Sequence, residues 1–225
     1  MAGLDQSNVS RIIAKIEPFL EQAADSELSK TLKKIENEKT LINTLNQQSF
    51  HKLYPDLERV VTDVTEVSIK RPGRSNEERK LYYSGKAKDF TLKVQVSVSK
   101  SQRFLHVTTV YPGSMHDKTI MDIEKTIGQF PEQSHQMLDL GYQGVVQEYP
   151  NHYVTLPAKK LKSCALSGLA KEHNKNIAKR RVCVENTLAR PKKFAICAQV
   201  YRGRKCKFAM IFRNIAALCN LMLDA

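Results

Sequence analysis

Three acidic residues stand where a carboxylate is either costly or conspicuous. Asp63 interrupts a β-branched stretch in which Val60, Val61, Val64 and Val67 read as a strand. A carboxylate inside an apolar strand costs several kcal/mol unless it is paired or binds a cation. Asp139 follows Met137-Leu138 at the end of another strand-like segment, just before the turn Gly141-Tyr142-Gln143-Gly144. Glu185 lies in a basic helical stretch, residues 174–190, flanked by Val182, Val184 and Leu188. Phosphodiester chemistry would use such a set. It needs an activated water or 3′-hydroxyl and a stabilised leaving oxygen, which two divalent ions about 3.5–4 Å apart provide. Hard ions such as Mg²⁺ and Mn²⁺ prefer carboxylate oxygens, and carboxylates gathered without a cation would raise each other's pKa. Each acid also has an ordinary explanation. Asp63 could bond to neighbouring backbone or to an arginine, Asp139 could be a turn residue, and Glu185 could pair with Arg181 four residues earlier.

The charge distribution adds a substrate class. The chain carries a formal net charge of +13. Residues 1–150 hold twenty basic and twenty acidic side chains, so the whole excess falls in residues 151–225, where sixteen Lys and Arg face only Glu172, Glu185 and Asp224. A positive field confined to one part of a chain suits a polyanion; the plain alternative is a solvated, solubilising face. Arg180, Arg181, Lys192 and Lys193 flank Glu185 and are the expected phosphate contacts, which hold a backbone without reading sequence. The 225 residues suffice for one well-buried α/β domain plus a small helical appendage. No uninterrupted apolar run reaches the roughly 18 residues of a membrane span, and no basic-then-apolar leader opens the chain. The expectation is a cytoplasmic, nucleoid-associated protein with no membrane partner. Cys164, Cys183, Cys197, Cys206 and Cys219 form no CxxC pair and are expected as reduced thiols, several in the core.

These side chains need elements to position them. Val9, Ile12, Ile13 and Ile16 recur at helical spacing behind Asp5 or Ser7 as a cap, with Asn8, Ser10, Arg11 and Lys15 on the other face, a pattern suited to a major-groove helix. Pro18 is expected to interrupt it and to begin a second helix with Phe19 and Leu20 inward. Residues 21–56 read as polar and helical. After the strand around Asp63, residues 71–76 read as a polar turn. Phe90, Leu92, Val94, Val96 and Val98 alternate with polar residues, the clearest strand in the sequence. Further strands are expected over 104–110, 136–140 and 153–156, helix over 116–128, and helix for the remainder, broken near Pro191. Three strands, a helix, a strand and more helix imply a mixed sheet with helices packed on it, an α/β fold.

The segments around the three acids resemble one family, the DDE transposases of bacterial insertion sequences, a DDE superfamily group related to Harbinger-like elements. The resemblance rests on Asp63-Val64-Thr65-Glu66 with Arg71-Pro72, and on Tyr82-Tyr83-Ser84-Gly85-Lys86 with Thr91-Leu92-Lys93. It continues in Pro112-Gly113-Ser114-Met115-His116-Asp117, in Asp139-Leu140-Gly141-Tyr142-Gln143-Gly144, and in Arg181-Val182-Cys183-Val184-Glu185 with Lys192-Lys193-Phe194. Gly3 to Arg11 is similar to the helix-turn-helix segment ahead of the catalytic domain. Their shared order makes the set specific.

The resemblance implies an RNase H-like catalytic domain over residues 56–225, preceded by a truncated helix-turn-helix region over 1–55. It implies an endonuclease active in DNA recombination: metal-dependent strand cleavage followed by attack of the freed 3′-hydroxyl on target DNA, the chemistry of transposition. Asp63, Asp139 and Glu185 would be both catalytic and metal-binding, with two Mg²⁺ or Mn²⁺ ions, Asp63 bridging them. The partners implied are double-stranded DNA, as transposon ends and target, and a homo-oligomer in the synaptic complex. His116 and Asp117 belong to a family motif without an assigned role. Three departures stand out. The chain opens at the segment similar to the recognition helix, the pattern of a truncated or split-frame copy. Pro191 stands where an aliphatic residue is usual and should end or kink the helix about one and a half turns past Glu185. Leu140 replaces a polar or small residue. The alternatives are a catalytically idle DNA-binding relic and a nuclease that cuts without strand transfer.

Overall fold

The computed structural model describes residues 5–73, 75–160 and 165–224; Gly3 and Cys164, named above, lie outside them, as do Leu4 and Arg74 of the segments read above. The sheet contains β1 (Arg59–Ser68), β2 (Tyr83–Ser84), β3 (Asp89–Ser99), β4 (Phe104–Val107), β5 (Tyr111–Pro112), β6 (His135–Met137) and β7 (Val154–Thr155). Its order is β2-β3-β1-β6-β7, with β4 and β5 also paired to β3. β3 runs antiparallel to β1, whereas β6 is parallel to β1 and β7 parallel to β6. This mixed sheet with flanking helices is the α/β fold the sequence pattern implies, and with its helical N-terminal segment it is consistent with the RNase H-like architecture the resemblance implies.

The apolar positions of β1 and β3 explain one layer. Val61, Val67, Leu92, Val94, Val96 and Val98 share a core with Ala24 and Leu28 of α1 (Gln6–Asn37), Ile177, Val184 and Leu188 of α7 (Gly168–Ala189), and Phe208, Phe212 and Ile215 of α9 (Phe208–Asp224). Each such side chain contributes about 1.5–3 kcal/mol by leaving water. By length and composition Lys205–Asp224 could also cross a bilayer. Its burial of Phe208, Phe212, Ile215, Ala216 and Cys219 is the behaviour of a core helix.

The polar face of β3 is covered as well. Thr91, Lys93, Gln95, Ser97 and Ser99 are all buried; Lys93 and Gln95 bond to α5 (Asp117–Glu124), and Gln95 also to the turn that follows β6. Alternation here separates two kinds of core rather than core from water.

The N-terminal segment departs from expectation. Pro18 does not divide it: α1 runs unbroken for 32 residues. Ala24, Leu28 and Ile35 anchor the later turns, and Lys207 pairs with Glu17 beside the proline, so tertiary packing offsets the backbone hydrogen bond that proline forgoes. Phe19 and Leu20, expected inward, are exposed. The short helices α2 (Lys39–Thr44) and α3 (Gln47–Leu53) follow. Where a polar turn was expected, a further helix, α4 (Asn76–Tyr82), begins as Ser75 accepts the Glu78 N–H, a Ser-x-x-Glu start signal present in the sequence. The expected strand over 104–110 is cut to β4 with the two-residue β5 after it. β6 stops at Met137 because Asp139 takes the Leu140 N–H and the chain turns into a short 3-10 segment. α6 (Val145–Glu148) follows that turn. α7 ends at Ala189, and Pro191 begins a 3-10 turn, where its missing N–H is harmless. α8 (Ala195–Ala198) leads on towards α9. Cys183, Cys197, Cys206 and Cys219 are free thiols, Cys197 and Cys219 buried.

Candidate active site

The sheet register brings the first two acids together. β1 and β6 are parallel, with Val60 beside Gln136 and Val61 beside Met137. The same offset separates Asp63 from Asp139, so continuing the register by two residues sets them side by side. Neighbouring strands lie about 4.8 Å apart. By the two-residue period of β1, Asp63 shares the face of Val61 and Val67, the face that packs under α7.

One guanidinium joins the pair. Arg181, on α7, donates from Nη2 to Asp63 Oδ2 at 3.2 Å and places Nη1 2.9 Å from Asp139 Oδ1. The Val64 N–H donates to Asp63 Oδ1 at 2.9 Å, and the Leu140 N–H to Asp139 Oδ1 at 2.7 Å. Side-chain exposures of 14% for Arg181, 21% for Asp63 and 46% for Asp139 make this a cluster buried at one end and open at the other. Burial pushes the Asp63 carboxyl above its usual range; Arg181 and the Val64 N–H pull against this, and the Asp139 charge reinforces it. Arg181 Nε is buried with no hydrogen-bond partner.

Glu185 is not brought to the aspartates. It lies exposed on α7, one turn beyond Arg181, and four residues along a helix return to the same side. Its suggested partnership with Arg181 does not form, because that side chain is spent on the aspartates. Among the described residues no three His, Cys, Asp or Glu side chains stand together as a metal-holding group. Arg181, expected on phosphate, is occupied with carboxylates instead. Arg180, Lys192 and Lys193 are exposed, and Lys192 lines a small cleft with Thr65 and Glu66 of β1. Asn8, Ser10, Arg11 and Lys15 are exposed on α1.

On the opposite face of the sheet lies a network that sequence reasoning missed. The buried Lys93 donates to Asp117 Oδ1 at 2.9 Å and to the Met115 carbonyl at 2.8 Å, with Glu66 at 3.9 Å. Gln95 donates to the Asp117 carbonyl and to the Tyr142 hydroxyl, and accepts from Thr126. Asp117 therefore ties α5 to β3, and Gln95 holds the turn that follows Asp139. The available signal was a lysine and a glutamine on an otherwise small-residue strand face, opposite the Tyr142 of a glycine turn.

Residues 62–220 match the family described as DDE superfamily endonuclease, and the chain belongs to that family. Within it the chain groups with the DDE transposases of insertion sequences. It is 31% identical over 222 residues to the probable transposase for insertion sequence element IS702 of Microchaete diplosiphon, a match spanning 98% of this chain and 72% of that protein. No solved structure matches it significantly.

Proposed function

We propose that the chain cuts DNA strands and transfers the freed 3′-ends to target DNA, using Asp63, Asp139 and Glu185 to hold divalent cations, Mg²⁺ or Mn²⁺. One observation carries this reading: two carboxylates, one on β1 and one at the turn just past β6, converge on a single positive group, at the open end of a half-buried cluster. The donor set is all oxygen, which fits a hard ion, and the guanidinium occupies the place where such a cation would sit. α7 offers the third acid about one helical turn, 5.4 Å, from the arginine now present. A bound divalent ion would draw charge from phosphate oxygens and make water a better nucleophile.

The chain's own residues do the rest. The Val64 and Leu140 amides fix the two carboxylates in orientation. The Gln95–Tyr142 bond fixes the turn behind Asp139. Lys192 and Lys193, exposed just past α7, hold the phosphodiester backbone, and Asn8, Ser10, Arg11 and Lys15 face DNA from α1, the start of a DNA-binding region over 1–55. Synapsis of two ends by a homo-oligomer belongs to the same proposal. The exposed Val9, Ile12, Ile13 and Ile16 on α1 support it as apolar surface left for another chain.

The test is Mn²⁺-dependent nicking of a duplex by Asp139→Asn. The expected result is loss of nicking with DNA affinity retained or raised. Nicking at the wild-type rate would defeat the assignment.

A further inference from the structure

The strand that carries Asp63 leads to a second cationic surface. Beyond Ser68, Ile69 forms a parallel bridge with Tyr201, and the Tyr201 N–H donates to the Ser68 carbonyl at 2.8 Å. Lys70 and Arg71 therefore leave β1 beside Arg202. The loop that follows Tyr201 is closely folded. The Tyr201 hydroxyl donates to the Arg204 carbonyl at 3.0 Å, and a Cβ at Gly203 would fall 2.4 Å from that hydroxyl oxygen, so a side chain there would displace the tyrosine. The Tyr201 ring packs edge-on against Phe208, anchoring the loop to the core.

Its cations divide into two kinds. Lys205 pairs with Glu78 and lies over the Tyr82 ring, and Lys207 pairs with Glu17; these two secure the loop. Lys70, Arg71, Arg202 and Arg204 are exposed, and none has an ion-pair partner among the described residues. No acid occurs between Val200 and Lys207. Two adjacent segments that together present four cations without ion-pair partners suit a polyanion.

Its place relative to the aspartates narrows the choice. Ile69, just past the end of β1, lies six residues from Asp63 and on the same face, about 20 Å at roughly 3.3 Å per residue. Lys192 lies between, at the cleft beside Thr65 and Glu66. Successive base pairs rise about 3.4 Å, so the loop stands roughly six base pairs from the acid pair.

We infer that Lys70, Arg71, Arg202 and Arg204 form a second phosphate-binding surface, gripping the duplex about six base pairs from the phosphate being cut. This rests on the DNA-cutting reading above and extends it. Titration of a long duplex of arbitrary sequence at several salt concentrations tests it with the double variant Arg202→Ala, Arg204→Ala. The log–log slope of affinity against salt should flatten by about 0.9 for each phosphate no longer neutralised, close to two for both. In the wild type, the same duplex should slow alkylation of the exposed Cys206 in this loop. A wild type without affinity for duplex would sink the DNA reading itself. A wild type that binds, with an unchanged slope in the double variant and Cys206 alkylated equally fast with and without duplex, overturns this inference alone.

Discussion

The sheet carries, on its two faces, two versions of one motif: a cation between two carboxylates. On one face Lys93 sits between Asp117 and Glu66; on the other Arg181 sits between Asp63 and Asp139. Lys93 also donates to the Met115 carbonyl, and Glu66 accepts from the Thr91 hydroxyl at 2.7 Å, so that cluster is buried and satisfied. The Arg181 cluster is not: Arg181 Nε has no partner, the Asp63 carboxyl is held above its usual range by burial, and Asp139 is nearly half exposed. A satisfied ionic cluster fixes a fold, whereas an unsatisfied one that opens to solvent has capacity left for a ligand.

Substitutions separate the two. Lys93→Met should remove about 3–5 kcal/mol of stability, because it strands two partly buried carboxylates, while leaving Mn²⁺ affinity unchanged. Urea denaturation reads the first and calorimetry the second; an unaltered unfolding midpoint would erase the contrast. His106 gives an intermediate effect on the same sheet. Burial lowers it to about 4, so the unfolded chain takes up a proton that the folded chain resists. Its stabilising contribution is complete above the usual histidine value of about 6.5 and is lost as pH falls from there towards 4. His106→Phe should therefore flatten the acid decline of unfolding free energy between pH 6.5 and 4 by an amount on the order of 3 kcal/mol; an equally steep decline would remove His106 as its source. The smallest effect belongs to Arg181→Gln, with about 1–2 kcal/mol lost because Asp139 keeps much of its water. Added Mn²⁺ should restore the melting temperature of this variant by more than it raises that of the wild type, since a divalent ion would take the place of the missing positive group. Equal shifts would separate the guanidinium from any cation site.

How much of this was legible depends on the range of the interaction concerned. Asp63 was visible because an acid broke an apolar run, and Asp139 because it closed another before a glycine turn; both are local signals. Their meeting follows from strand register, which the sequence does not spell out. Arg181 reaches Asp63 across 118 positions and also meets Asp139, beyond any spacing rule, and so the helix read as a carrier of Glu185 presents its arginine to them instead. The sheet's two main strands were legible from their apolar positions. The buried character of Lys93 and Gln95 was not, because alternation looks the same under water and under a second layer. Pro18 misled in the opposite direction: local propensity marked a break that packing of Ala24, Leu28 and Ile35 overrides.

The most direct test of the central claim is calorimetric titration of Mn²⁺ into the wild-type chain, Asp63→Asn and Asp139→Asn. The expected result is binding by the wild type that weakens by more than about tenfold, 1.4 kcal/mol, in each variant. Wild-type affinity in both variants would contradict the assignment of this aspartate pair as the cation-binding centre.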